Sequence, residues 1–460
     1  MPSSSSSAPG RVTKRARALF GIGLAGGVLT GAALDAQQAT EGAQFQVNTH
    51  TPGYQFWPDV GVDADGDFVV VWESDSSTGG DPDRSIQARL YSSAGEPLGP
   101  QFQVNTYTGS RQEGARVALA PSGEFVVVWW SYQGWDGGDD DGASVQARRF
   151  GADGAPLGPE FQVNTYTTDD QYRANVAIGD DGGFVVAWVS TGSPGNDQSL
   201  TSIQGQRFDA DGAPLGDQFQ VNTFTLFSQF LMPGVDIAPD GDFVVAWTSD
   251  GSFGGDTEGW SIQGQRYDAQ GTPAGGEFQV NSYTLYNQSS PDVAFGPAGE
   301  FVVVWHSYGL LEDGFSTPHA QRYDADGAPV GGQFQVNDTT IGPHVQPRVA
   351  IAPNGDFVVV FTANTTQGGD TSDFSVHGKR FRADGSELGE QFLLNSYTTN
   401  RQFLPAVATD PEGDFLVAWQ SAGSPGGDNS FTSIQAQRFQ NLFADDFETG
   451  DASRWSLLIP

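Results

Sequence analysis

The chain has 460 residues, a formal net charge of −35 at pH 7, and no cysteine. The absence of cysteine excludes disulfides, thiol catalysis and Cys-ligated metal, and the excess of acidic residues argues against nucleic acid and anionic lipid as partners. Glycine and proline, with 61 and 26 residues, recur at regular places, which is typical of a β protein rich in turns.

Residues 1–36 have the composition of a signal peptide. A basic region with four Lys and Arg residues precedes a mostly apolar stretch, residues 19–34, and Leu34-Asp35-Ala36 offers a cleavage site. The apolar stretch is short for a membrane span. We therefore expect a secreted or cell-surface protein without a membrane span in its mature chain, the alternative being an uncleaved anchor. Cleavage would remove four basic residues and one acidic residue, which changes the net charge from −35 to −38.

The stretch Phe68-Val69-Val70-Val71-Trp72 is repeated seven times, at spacings of 56 to 59 residues. Both faces of this strand are apolar, so both must be covered. Its Trp column predicts packing between sheets, the alternative being a platform for sugar rings. The column comprises Trp72, Trp129, Trp188, Trp247, Trp305 and Trp419, with Phe361 in the sixth copy.

Three further elements recur with the same period: a Val-Ala-Ile-Ala strand before the apolar run, a Ser-Ile-Gln-x-x-Arg-Phe strand after it, and a Phe-Gln-Val-Asn strand. Four antiparallel strands in each of seven units predict an all-β, seven-bladed β-propeller spanning residues 44–440. Small residues recur at the second position of the first strand, as at Gly61, Ala118 and Ala177, which fits strands that crowd around an axis.

The seventh unit lacks a Phe-Gln-Val-Asn strand after Phe439, and a spare copy, residues 45–48, precedes the first unit. We expect residues 44–50 to form the outer strand of the last blade. This closure by the N-terminal strand would remove the free edge of an open array.

The Val-Ala strand followed by an Asp-x-x-Gly turn resembles propellers of the NHL and YWTD kind. The phrases Phe-Gln-Val-Asn-Thr and Gln-x-Arg-Phe-Asp-x-x-Gly resemble repeats of exported bacterial surface proteins. The resemblance covers residues 44–440 and implies an architecture; it carries no catalytic residue over. Residues 441–460 form a separate C-terminal tail, similar to short tails of exported bacterial proteins.

A glutamine recurs just before the first strand of each unit, and it defines our candidate ligand-binding residues. These amides either satisfy backbone groups of the loops or form a polar ring around the axis. The column comprises Gln55, Gln112, Gln171, Gln229, Gln288, His344 and Gln402.

Asp63, Asp65 and Asp67 alternate as the carboxylates of a calcium loop do. Sibling turns lose most of these acids, and Asp is also an ordinary turn residue. Calcium at this turn is therefore one interpretation, and a chain without a cofactor is the other. The acidic loops after the apolar strands, such as 250–256, predict a solvated rim, with metal binding as the alternative.

No HExxH or G-x-S-x-G pattern occurs in the sequence. The residues that break the repeat include Trp135, Asp236, His306, Glu312, Asp313 and His319. We predict a monomeric binding module at the cell surface, with a glycan or protein ligand on the loop face. The alternatives are a hydrolase or lyase acting on polysaccharide, and a structural adhesin segment without a pocket.

Overall fold

The computed structural model describes residues 40–440 apart from short gaps. The gaps are 41, 76–82, 133–138, 140, 193–194, 196, 198–199, 253, 257, 310–313, 340, 366, 371, 425, 427 and 429–430. The predicted signal peptide and C-terminal tail lie outside the described residues. No helix in the described ranges has the length and apolarity needed to cross a membrane.

The described chain forms seven four-stranded antiparallel sheets in a ring, so the prediction of a seven-bladed β-propeller is confirmed. The N-terminal strand is β1 (Phe45–Gln46). Blade 1 contains β2 (Gln55–Val62), β3 (Phe68–Asp75), β4 (Arg84–Tyr91) and β5 (Phe102–Gln103). Blade 2 contains β6 (Gln112–Leu119), β7 (Phe125–Tyr132), β8 (Ala143–Phe150) and β9 (Phe161–Gln162). Blade 3 contains β10 (Gln171–Ile178), β11 (Phe184–Thr191), β12 (Thr201–Phe208) and β13 (Phe219–Gln220).

The remaining blades repeat this order from the inner to the outer strand. Blade 4 contains β14 (Gln229–Ile237), β15 (Phe243–Asp250), β16 (Trp260–Tyr267) and β17 (Phe278–Gln279). Blade 5 contains β18 (Gln288–Phe295), β19 (Phe301–Ser307), β20 (Thr317–Tyr323) and β21 (Pro329–Gln335). Blade 6 contains β22 (His344–Ile351), β23 (Phe357–Ala363), a 3-10 turn (Gln367–Gly369), β24 (Ser375–Phe381) and β25 (Phe392–Leu393). Blade 7 contains β26 (Gln402–Thr409), β27 (Phe415–Ala422) and β28 (Thr432–Phe439).

The hydrophobic core lies between the blades. Each of the seven apolar clusters combines residues of two neighbouring blades, including one shared by blades 7 and 1. All six Trp residues of the repeated column are fully buried in or beside these clusters, which confirms their predicted role in packing. The crowding at the axis is also confirmed, because a Cβ added to Gly61 would lie 2.9 Å from the Cβ of Leu119 in the next blade.

The closure of the ring follows the prediction. Strand β1 pairs antiparallel with β28, with Phe45 opposite Ala436 and Gln46 opposite Gln435. The Val47 N–H donates to the Ile434 carbonyl at 2.8 Å. Blade 7 therefore takes its fourth strand from the beginning of the chain.

Arginines of the third strands connect neighbouring blades. The Arg266 guanidinium donates to the carbonyls of Ala325 and Asp326, which lie in a turn of the next blade. Arg322 binds the carbonyls of Ala383 and Asp384 in the same way. The partners of both arginines are thus backbone oxygens of the turns rather than aspartate carboxylates.

Candidate ligand-binding site

Each inner strand contains a β-bulge at the end that faces the long loops. In blade 1 the register shifts between Phe56 and Asp59, and the other six inner strands shift at the same place. The first bulge residue has a positive φ in every blade, between 49° and 70°. These residues are Trp57, Gly114, Arg173, Leu231, Ser290, Gln346 and Leu404. We call these seven residues the mouth ring.

Left-handed backbone is uncommon for residues other than glycine, yet six of the seven ring residues have side chains. Such conformations concentrate at binding and catalytic sites, where the surrounding structure holds them in place. Four blades contain Pro directly after the ring residue, as in Trp57-Pro58. Because Pro cannot donate to the strand ladder, it fits at a bulge.

The preceding blade holds several of these bulges in place through one position of its second strand. The Glu73 carboxylate accepts a hydrogen bond from the Gly114 N–H. The hydroxyl of Thr248 accepts from the Ser290 N–H at 3.1 Å, and that of Thr362 from the Leu404 N–H at 3.2 Å. The ring is thus fixed across blade boundaries as well as within each strand.

The mouth ring surrounds a pocket of about 150 Å³ at one end of the axis. Its lining consists of ring residues, the prolines after them, Met232, Arg116 and Arg348. The ring side chains vary from blade to blade, whereas the position two residues before them is Gln in six of the seven blades. The pocket is therefore asymmetric although the scaffold around it is close to sevenfold symmetric.

A charged layer lies below the ring, within an axial cavity of about 300 Å³. It contains Asp59, Arg116, Asn175, Asp292 and Arg348. The Asp59 carboxylate accepts from the Val117 N–H at 2.9 Å, and the Asp292 carboxylate from the Val349 N–H at 3.0 Å. These acids satisfy inner-strand backbone groups of the next blade, which face the axis and have no neighbouring strand on that side.

Burial in the axial cavity raises the pKa of two of its carboxylates. Burial raises the pKa of Asp292, although the Arg348 guanidinium, 3.7 Å away, opposes the shift. Burial also raises the pKa of Asp236 to about 7. Asp236 replaces the small residue of its column, and its carboxylate accepts from the Phe295 N–H at 2.7 Å. Asp236, which breaks the sequence repeat, therefore lies at the axis.

Exposed aromatic rings lie beside the mouth, on blade 1 and on the adjoining loop of blade 7. The Trp57 side chain is 39% exposed. The rings of Tyr54 and Phe431 stack with centroids 4.4 Å apart, and Tyr54 also stacks on Phe56 at 5.2 Å. Flat aromatic faces that are open to solvent can pack against the apolar faces of ring-shaped ligands.

The structure places the glutamine column inside the blades. The Gln55, Gln112 and Gln229 amide oxygens accept from the indole N–H groups of Trp72, Trp129 and Trp247 at 2.8 to 2.9 Å. The Gln171, Gln288 and Gln402 amide oxygens accept instead from Asn164, Asn281 and Asn395. His344 binds the Gly342 carbonyl through Nδ1 at 2.9 Å. All seven side chains are buried, so a ligand would reach them only after a movement of the loops. Ligand binding by this column stays a prediction.

Acidic loops on the same face are only partly solvated. One aspartate in each of five loops is buried and accepts from the Asn of a Phe-Gln-Val-Asn or Phe-Leu-Leu-Asn strand at 2.8 to 3.0 Å. These residues are Asp139, Asp197, Asp256, Asp370 and Asp428. The prediction of a fully solvated rim was therefore wrong for these five, which stabilise the loops instead.

The turn with Asp63, Asp65 and Asp67 uses its acids for the turn itself. One oxygen of Asp63 accepts from the N–H groups of Asp65 and Asp67, each at 2.9 Å, and Asp67 accepts from the Ser93 N–H at 2.7 Å. In the described part of the chain, no group of three or more His, Asp or Glu residues is arranged to hold a metal ion. Calcium binding at this turn stays a prediction.

The two histidines that break the sequence repeat, His306 and His319, are buried. Burial lowers the pKa of His306 and of His319 to about 4, so both are neutral at pH 7. The His306 Nε2 lies 2.8 Å from the Ser289 hydroxyl, as in a nucleophile and base pair. However, Ser289 is only 1% exposed, so a substrate does not reach it in this structure. Trp135, Glu312 and Asp313 lie outside the described residues.

The mouth ring was not among the site residues predicted from the sequence. The available signal was a variable position two residues after the glutamine column and, in four blades, directly before a proline. A residue-by-residue comparison of the seven units would have shown it. The bulge itself has no clear sequence signature, because only four blades contain the proline that marks it.

No family model and no curated protein matches the chain. Among solved structures, a protein of unknown function from Dyadobacter fermentans superposes with a TM-score of 0.52 at 11% identity, covering 88% of this chain and 98% of that chain. The polysaccharide lyase Uly1 superposes with a TM-score of 0.51 at 10% identity, covering 89% of this chain and 94% of the lyase chain. An α-L-arabinanase of Penicillium chrysogenum superposes with a TM-score of 0.46 at 16% identity, covering 71% of this chain and 93% of that chain. The likeness is one of fold. It supports the seven-bladed architecture, and the resemblance to NHL and YWTD propellers stays a prediction.

Proposed function

We propose that this protein is an exported carbohydrate-binding module and that its site is the mouth ring. The observation that carries the proposal is a non-repeating ring of left-handed residues at the axis of a repeating scaffold. A structural requirement common to all blades would select similar side chains in each of them. The site is formed within one chain, so a monomer suffices.

The chemistry of the ring suits a saccharide. Trp57 supplies an exposed aromatic face, while Ser290 and Gln346 supply a hydroxyl and an amide at the same level. Stacking combined with a few polar groups is a common way to orient a small ligand in a pocket. The polysaccharide lyase described above has the same kind of fold, which makes a saccharide compatible with this scaffold.

Two alternatives receive less support. A hydrolase or lyase needs accessible acid and base groups, but Asp59 and Asp292 bind backbone N–H groups, and Ser289 and His306 are buried. A structural adhesin segment would have no pocket, whereas the mouth ring encloses one.

The proposal is tested on a glycan array with the purified protein and two variants. Trp57→Ala is expected to abolish binding, and Tyr132→Ala is the matched control, because both residues are 39% exposed and Tyr132 does not line the mouth pocket. Equal glycan binding by Trp57→Ala and the unmodified protein would refute a site at the mouth. Release of reducing ends or unsaturated products from a bound polysaccharide would favour the enzyme instead.

A further inference from the structure

We infer that the saccharide group held by the mouth ring is anionic, carrying a carboxylate or a sulfate on a terminal sugar residue. This inference rests on the proposed function and specifies its ligand. The pocket lining contains three arginines, Arg116, Arg173 and Arg348, and no aspartate or glutamate. The whole chain has 56 acidic residues against 21 Lys and Arg. A wholly basic set of charges at the mouth is thus opposite in sign to the rest of the protein.

Arg116 forms the floor of the pocket and lacks a close counter-ion. Its side chain is almost completely buried, with 7% of the residue exposed. Nε faces the Met232 sulfur at 3.0 Å and Nη1 donates to the Ala115 carbonyl at 2.9 Å. Within the described ranges, no carboxylate lies within 4.0 Å of this guanidinium. The carboxylates of Asp59, Asp292 and Glu73 attract it only from beyond that distance, and Arg348 repels it. Burying this cation is therefore costly, and a bound anion would offset more of that cost.

The two other arginines are placed to act with it. The Arg348 guanidinium lies 3.7 Å from one oxygen of the Asp292 carboxylate. The other oxygen of that carboxylate accepts a hydrogen bond from the Val349 N–H. Arg173 is a ring residue with φ of 55°, and its guanidinium lies 5.6 Å from the centre of the Tyr172 ring. Guanidinium groups bind carboxylates and sulfate-like oxyanions through paired N–H donors. Arginines from blades 2, 3 and 6 therefore approach one pocket from three sides.

The size of the pocket limits how much of the ligand enters. Its volume of about 150 Å³ is half the lower limit of roughly 300 Å³ for sites that enclose a drug-sized ligand. We therefore expect one terminal sugar residue in the mouth, with the rest of the oligosaccharide lying across the exposed aromatic rings of blades 1 and 7. The acidic loops do not prevent this, because salt screens exposed charges beyond about 8 Å at physiological ionic strength.

Titration calorimetry with four trisaccharides tests the inference. The probes are trigalacturonic acid, its methyl ester, galactotriose, and galactotriose sulfated on its terminal residue. We expect at least one acidic probe to bind tenfold or more tightly than its neutral partner, and the better of the two identifies the anion. Arg173→Gln is expected to remove this preference and Arg173→Lys to retain part of it. Arg401→Gln is the control, because Arg401 is exposed, pairs with Asp373 and does not line the pocket.

The possible failures are distinguishable. If neutral and acidic probes bind equally and only Trp57→Ala abolishes binding, the anion inference is wrong and the proposed function stands. If no trisaccharide binds, melting temperatures in sodium sulfate and in sodium chloride of matched ionic strength separate the two ideas. Sulfate-specific stabilisation that is lost in Arg173→Gln would retain an anion site and refute saccharide binding. Its absence would refute both.

Discussion

The Glu73 carboxylate of blade 1 accepts a hydrogen bond from the Gly114 N–H of blade 2, at the point where the second inner strand bulges into the axial mouth. Glu73 is 2% exposed, and its other oxygen lies 3.4 Å from the Arg84 guanidinium. Burial raises the pKa of Glu73 from its ordinary value of 4.5 to about 7. A group that shapes the mouth thus titrates near neutral pH.

This pKa predicts how stability depends on pH. Between about pH 4.5 and 7 the folded protein holds a proton on Glu73 that the unfolded chain has already released. Its contribution to stability is therefore complete below pH 4.5 and is lost as pH rises through 7. Glu73→Gln keeps an acceptor for Gly114 and cannot ionise. We expect the variant to gain about 1–3 kcal/mol relative to the unmodified protein between pH 5 and pH 8.

Urea unfolding at both pH values measures this difference. Glu96→Gln provides the control, because Glu96 is exposed in a turn of the same blade. A pH dependence that is identical in the unmodified protein and in Glu73→Gln would show that Glu73 is not responsible for it.

A second prediction concerns the strain of the mouth ring. A left-handed residue with a side chain costs about 1–2 kcal/mol relative to its usual conformation. Ser290→Gly, with φ of 56° at this position, should therefore raise the free energy of unfolding by about 0.5–1 kcal/mol. Gly114→Ala should lower it, because an added Cβ would lie 1.5 Å from the Trp130 ring. Chemical denaturation of both variants tests the pair, and stabilisation by Gly114→Ala would contradict the geometry of the ring.

The fold was predictable from the sequence because it depends on features that repeat. Buried strands with apolar residues on both faces, turns with Gly, and a spare outer strand at the N-terminus each appear as a pattern of residue types. These patterns predict β1 on the last blade, and the pairing of Phe45 with Ala436 confirms it. Local propensity and the global architecture point to the same answer here.

The site was not predictable in the same way, because it depends on departures from the repeat. The glutamine column repeats and was therefore the predicted site. Its amides instead accept hydrogen bonds inside the blades, as Gln55 does from the Trp72 indole. Arg116 and Arg348 are ordinary residues in sequence. They become neighbours of one pocket only because the ring brings blades 2 and 6 to a common axis.

Closure of the ring gives a third prediction. Deleting residues 37–50 removes β1 and exposes the edge of β28, so we expect a loss of several kcal/mol in unfolding free energy. The point variant Asn48→Ala removes the acceptor of the Ile434 N–H at 2.9 Å and a bond to Asp428 at 3.0 Å. It should cost about 1–3 kcal/mol, because it leaves buried polar groups without partners. Asn354→Ala, in an exposed turn, is the control. Equal melting temperatures of the 37–460 and 51–460 chains would contradict this account.

The Trp column gives a fourth prediction. Trp247 is fully buried, and its indole donates to Gln229 at 2.9 Å. Trp247→Ala should lower the unfolding free energy by about 3–5 kcal/mol, because it leaves a cavity between two blades. Tyr132→Ala, at a half-exposed site, should have a much smaller effect. A stable Trp247→Ala variant that loses carbohydrate binding would reassign the column to the ligand site.

The last prediction concerns divalent cations. The chain has a net charge of −35, and many of its acids lie in loops of one face, where like charges repel. An ion bound only by the folded loops would stabilise by mass action, whereas screening requires only salt. Five of the loop aspartates already accept from buried asparagines, and Asp63 accepts from two backbone N–H groups. We therefore expect millimolar Ca²⁺ and sodium chloride of matched ionic strength to raise the melting temperature by similar, modest amounts after chelation. A rise of many degrees that is specific to Ca²⁺ would make these acids metal ligands and would refute the structural role assigned to them.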